Sequence, residues 1–117
     1  MIISLVEDDP TVIELLAELL RHHGHDPRTV LIVTGDTIGG ALDRLAALAA
    51  PIVLMDLGMP VAGMDILDAA RKDERFRGTR FIIATASFEA QKSPPPGVRM
   101  VSKPYDLPEL LAAIAGK

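Results

Sequence analysis

Short apolar runs alternate along the chain with stretches of helical periodicity. Ile2-Ile3-Ser4-Leu5-Val6 is apolar except at Ser4, the pattern of a strand covered on both faces. Asp9 and Pro10 follow as an N-cap carboxylate and a first helical residue. Val12, Leu15, Leu16 and Leu19 then recur at i, i+3, i+4, i+7 until Gly24, which predicts an amphipathic helix with those residues on its apolar face. A second strand is expected within Arg28–Val33. The turn Thr34-Gly35-Asp36-Thr37 precedes a helix carrying Ile38, Ala41, Leu42 and Leu45. Ile52–Met55 reads as a third strand ending at Asp56, and a helix is predicted from Met64 to about Asp73. Phe81–Ala84 and Val98–Val101 read as strands four and five. Leu107, Leu110, Leu111 and Ile114, capped by Asp106, form the last helical face.

Strands separated by helices predict an α/β fold: a doubly wound, five-stranded parallel sheet with helices on both faces. One segment breaks the pattern. Ser93-Pro94-Pro95-Pro96-Gly97 cannot be helical, because proline lacks the donor and keeps its predecessor extended. The fourth helix is therefore expected to be short, Phe88–Lys92, or absent.

Composition narrows the classes. The 117 residues fit one domain, 1–117, with 49% hydrophobic and 24% charged residues. No cysteine is present, which excludes a disulfide scaffold, a thiolate metal site and a cysteine nucleophile. A net charge of −4 argues against nonspecific nucleic-acid or anionic-membrane binding. The longest apolar run, Leu45–Met55, contains Pro51 and is far short of the roughly 20 residues that span a bilayer. With no basic leader before Ile2, a cytoplasmic protein is expected.

In such a sheet, ligands collect beyond the carboxyl ends of the strands. Glu7, Asp8 and Asp9 follow the first strand, Asp56 the third, Thr85, Ala86 and Ser87 the fourth, and Lys103 the fifth. Asp9 is accounted for as a helix cap. Crowded carboxylates repel one another and favour a cation between them; an all-oxygen set suits Mg²⁺ or Mn²⁺. Such an ion keeps positions open for a phosphoryl oxygen, and the lysine and the threonine hydroxyl can take the others. One carboxylate can then act as a nucleophile in phosphoryl transfer. His22, His23 and His25 cluster instead around the end of the first helix, where cations complement the helix dipole.

Val6-Glu7-Asp8-Asp9, Asp56-Leu57-Gly58-Met59-Pro60, Ala84-Thr85-Ala86 and Ser102-Lys103-Pro104-Tyr105 together resemble the receiver domain of bacterial two-component response regulators, over essentially the whole chain. The resemblance implies the flavodoxin-like receiver topology and a phosphoacceptor at Asp56. It implies metal ligands at Asp8, Asp56, the Gly58 carbonyl and Glu7, the last through water. It also implies Thr85 and Lys103 as partners of the phosphoryl group, and a cis Lys103-Pro104 bond. Thr85 would be the moving part of a switch. The family usually carries an aromatic residue three before the lysine; here that position is Met100. Implied partners are a sensor histidine kinase or phosphotransfer protein and a downstream effector. The chemistry implied is self-phosphorylation and self-dephosphorylation on Asp56, not that of a turnover enzyme. With nothing after the last helix, the expectation is a stand-alone regulator or a receiver cut from a hybrid protein. The competing expectations are a pseudo-receiver that binds partners without phosphorylation, and a phosphatase using an aspartate nucleophile. Gly58 disfavours the phosphatase, because such enzymes commonly place a second acid two residues after the nucleophile.

Overall fold

The structure, a computed structural model, describes the backbone of residues 1–117 and every side chain except that of Phe88. Five strands, β1 (Ile2–Glu7), β2 (Asp26–Leu31), β3 (Ile52–Asp56), β4 (Arg80–Thr85) and β5 (Arg99–Ser102), alternate with helices α1 (Pro10–His22), α2 (Ile38–Leu48), α3 (Gly63–Arg71), α4 (Phe88–Lys92) and α5 (Leu107–Ile114). The strands form one sheet in the order β2-β1-β3-β4-β5, and every pairing is parallel. β1 and β3 therefore flank the point at which the strand order reverses.

Strand parity explains the unbroken apolar runs. Val6, Val53, Met55, Phe81 and Ile83 join α2 and α3 in one core cluster. Ile3, Leu5, Ile52, Leu54, Ile82 and Val101 join α1 and α5 in the other. Both faces are covered, so alternation is absent from the central strands.

Caps set the helix ends. Asp9 Oδ1 accepts from the amides of Thr11 (2.9 Å) and Val12 (3.4 Å), and Thr37 Oγ1 from that of Gly40 (3.0 Å). Gly24, at φ +82°, turns the chain out of α1 in a conformation that disfavours a side chain. Asp106 stands at the N-cap of α5 but makes no side-chain cap bond.

Four expectations need correction. The buried face of α1 is Ile13, Leu16, Ala17 and Leu20, whereas Leu15 is 71% exposed. The apolar strip is wider than one helix face, and only its rotated half meets the sheet. Strand β2 begins two residues earlier than expected and includes Pro27; as an edge strand it can tolerate a residue with no donor. β5 is shifted by one residue, and α3 ends at Arg71.

α4 is the five residues Phe88–Lys92. The proline segment beyond it is tied down where the Arg71 guanidinium donates to the Pro96 carbonyl (2.6 Å) and the Val98 amide to that of Pro95 (3.1 Å). Among the described residues, no helix is long and apolar enough to cross a membrane.

Candidate phosphoryl and metal site

Glu7, Asp8, Asp56, Thr85 and Lys103 lie at the carboxyl edge of the sheet, and Met100 lies within the fifth strand. Glu7, Asp56 and Thr85 are the last residues of β1, β3 and β4 and are buried. Asp8 and Lys103, one position beyond β1 and β5, are half-buried. Glu7, Asp8 and Asp56 each offer a carboxylate oxygen, and these oxygens lie within 4.8 Å of one another. Among the described residues this is the one group of three or more potential ligands, and the histidines have no part in it.

Lys103 reaches the acids from the end of β5, across the end of β4. Its Nζ lies 3.1 Å from Asp56 Oδ1 and 3.5 Å from Glu7 Oε2. The Glu7 carboxylate folds back over its own chain, where Oε1 accepts from the amides of Asp8 (3.1 Å) and Asp9 (3.4 Å). The Gly58 amide donates to Asp56 Oδ1 at 3.4 Å. Gly63, the first residue of α3, lets that helix start against Asp56: a Cβ there would lie 2.5 Å from the Asp56 carbonyl oxygen.

One ammonium against three carboxylates leaves an excess of negative charge. Burial above all, helped by its hydrogen bond with Asp8 and the Asp56 charge, pushes the Glu7 carboxyl up to about 7, against the pull of Lys103. For Lys103, burial works against the charge, but the Asp56 hydrogen bond and both acids hold its pKa above the ordinary lysine value. Tyr105, half-buried beside the site, is raised by burial first and then by the charges of Glu7 and Asp56. A self-repelling set of hard oxygen donors fits a small divalent cation.

Thr85 closes the other side. Its Oγ1 accepts from the Ser87 amide (3.0 Å), and its carbonyl accepts from the Lys103 amide (3.0 Å) and from Gln91 Nε2 (3.3 Å). Asp56, Gly58, Thr85, Ser87 and Lys103 line an open cleft of about 400 Å³.

Carboxylates at the ends of β1 and β3 and a lysine after β5 of a 2-1-3-4-5 sheet can be compared with known proteins. No family model matches the sequence, and no curated protein does. Solved structures do match. The response regulator TrrA from Thermotoga maritima, solved in complex with Mg²⁺ and BeF, aligns at a TM-score of 0.81 and 23% identity over 98% of this chain and 96% of that one. A response regulator receiver protein from Pseudomonas putida aligns at 0.77 and 25% identity, over 99% and 96%. The chemotaxis response regulator CheY4 of Vibrio cholerae aligns at 0.80 and 18%, over 98% and 96%. This is the CheY-like receiver fold.

Two contacts lie outside the motifs. Gln91 ties α4 to the Thr85 carbonyl. Glu109 accepts from both the amide (2.8 Å) and the hydroxyl (3.0 Å) of Ser102. A glutamate at the third position of a helix ordinarily reads as half of a capping box, so nothing in the local pattern points it at β5. An apolar groove along α1 is the third addition. Val12, Leu15, Leu16 and Leu19 face Pro104 and Tyr105 across an apolar groove of about 630 Å³, which also touches Ala86 and Lys103.

Proposed function

We propose that the chain is a phosphoacceptor receiver unit of a two-component or phosphorelay system, with Asp56 as the residue that carries the phosphoryl group. The observation that supports it most is the buried Asp56 carboxylate, 3.1 Å from Lys103 Nζ and grouped with Glu7 and Asp8 at the edge of the cleft. Asp56 attacks the phosphorus of a partner's phosphohistidine or of a small phosphate donor. The new O–P bond forms as the old P–N or P–O bond breaks, and the leaving atom keeps the bonding pair. Lys103 supplies positive charge to the phosphoryl oxygens, and Thr85 supplies a hydroxyl donor. Glu7, Asp8, Asp56 and the Gly58 carbonyl would hold Mg²⁺ or Mn²⁺, which when bound neutralises charge on those oxygens. Hydrolysis returns the Asp56 carboxylate and inorganic phosphate, so the unit is a switch or shuttle and not a turnover enzyme.

Thr85 gives up its Ser87 amide contact to reach a phosphoryl group. That movement passes into α4, which Thr85 anchors at both Ser87 and Gln91. Met100, half-buried against the α2–α3 core and paired in register with Ile83, follows the change by repacking. The groove on α1 runs into the cleft through Ala86 and Lys103, which favours a histidine phosphotransfer partner docking there. The setting of such chemistry is the cytoplasm.

The deciding experiment is acetyl phosphate with Mg²⁺ followed by intact mass. A gain of one phosphoryl group, lost in Asp56→Asn and in the absence of divalent metal, supports the reading. No gain in the wild type, together with no spectral response to beryllofluoride, rejects it in favour of a non-phosphorylated interaction module.

A further inference from the structure

β5 ends the sheet on one side, so the amides on its outer edge have no strand to pair with. The Lys103 amide points inward, to the Thr85 carbonyl at 3.0 Å. The amide one residue earlier, that of Ser102, is taken by a side chain: Glu109 Oε1 accepts it at 2.8 Å, while Oε2 accepts the Ser102 hydroxyl at 3.0 Å. The carboxylate thus holds both the amide and the hydroxyl of Ser102. Glu109 lies in the first turn of α5, where the helix's partial positive charge favours an anion. It leaves the cap of its own helix unserved and reaches seven residues back to the strand.

The residue next to that grip is Lys103. Its backbone is therefore held on one side by β4 and, through Ser102, on the other by α5. A lysine side chain has four flexible carbons, so its ammonium can be kept 3.1 Å from Asp56 only if the backbone beneath it is fixed.

We propose that Glu109 is a positioning residue for phosphoryl transfer: it clamps the exit of β5 so that Lys103 addresses the phosphoryl group on Asp56. The assignment rests on the phosphoacceptor reading above. Glu109 itself touches neither the metal ligands nor the reacting atoms.

The test is an NMR titration of the full chain with Mg²⁺ alone and then with beryllofluoride in the presence of Mg²⁺. It compares wild type, Glu109→Ala, Glu109→Gln, Lys103→Ala and the Lys103→Ala/Glu109→Ala double variant. Mg²⁺ affinity should stay within about twofold of wild type in both Glu109 variants, because their acid cluster is intact. Beryllofluoride should bind about tenfold more weakly to Glu109→Ala, the factor expected from loss of a charge-assisted clamp. Glu109→Gln, which keeps an oxygen for the Ser102 amide, should recover most of that loss. In the Lys103→Ala background, Glu109→Ala should add nothing. Without any ligand, the Ser102 amide should exchange faster in Glu109→Ala than in wild type.

Equal beryllofluoride binding by wild type and Glu109→Ala overturns the assignment, and so does a loss of the same size with and without Lys103. A wild type that ignores beryllofluoride overturns the phosphoacceptor reading itself, and the two failures are told apart by the wild-type titration alone.

Discussion

Replacing Gly63 by alanine should destabilise the protein and weaken the site together, against the ordinary preference of helices for alanine. A Cβ at position 63 would lie 2.5 Å from the Asp56 carbonyl oxygen and 3.0 Å from Leu57 Cα, both backbone atoms. The first distance is about 0.9 Å short of the 3.4 Å at which ordinary contact begins. α3 must therefore back away from the end of β3, at a cost of about 1–3 kcal/mol for overpacking. Alanine returns at most about 1 kcal/mol of helix propensity. Taken from the middle of the overpacking range, the balance is a loss of about 1 kcal/mol, or roughly 4 °C in Tm for a domain of this size. Gly39, in α2, provides the control: a Cβ there meets nothing within 4 Å, so Gly39→Ala should hold or raise stability by up to about 1 kcal/mol. Urea unfolding of the two variants measures the difference, and beryllofluoride binding should fall only in Gly63→Ala. A Gly63→Ala protein as stable as wild type would refute the close approach of α3 to Asp56.

Three further outcomes can be checked. Leu15→Gln should change stability by less than about 0.5 kcal/mol, because Leu15 is 71% exposed, whereas Leu16→Ala, at 5% exposed, should cost about 2–5 kcal/mol in the same denaturant assay; similar losses would mean that α1 packs differently. Glu7 is held at about 7 in the fold against 4.5 when free, so its contribution to stability is full below the free value and is lost as pH rises through about 7. Glu7→Gln, neutral throughout, should therefore be the more stable protein at about pH 8 without divalent metal, with the gap narrowing near pH 5, and a gap independent of pH would contradict that cause. Arg80 donates to the Ala113 and Ile114 carbonyls at the end of α5, so Arg80→Ala should cost about 1 kcal/mol and speed amide exchange at the chain's C-terminus; unchanged exchange would show that the cap is idle.

What could be read before folding was governed by local rules. α4 is legible as Phe88–Lys92 because three prolines forbid anything longer, and the start of α2 because Thr37 can cap it. Glu7, Asp56, Thr85 and Lys103 are legible because polar residues that end apolar runs gather at one edge of a parallel sheet. The face of α1 is a different matter. Residues 12, 15, 16, 19 and residues 13, 16, 17, 20 are overlapping apolar strips sharing Leu16, and only the position of the sheet decides between them. Pro27 reads as a strand breaker until β2 is known to be an edge. Glu109 meets Ser102 across a turn whose path no propensity encodes.

The proline segment after α4 has a consequence for the denatured chain. Pro94, Pro95 and Pro96 have little backbone freedom even when the protein is unfolded, since each ring already fixes φ. Relative to ordinary residues they spare about 0.4–1 kcal/mol apiece of ordering entropy, roughly 1–3 kcal/mol together. Arg71 at Pro96 and Val98 at Pro95 therefore hold in place a segment with little disorder left to lose. Where the helix stops, stiffness of the covalent chain takes over from hydrogen bonding as the source of order.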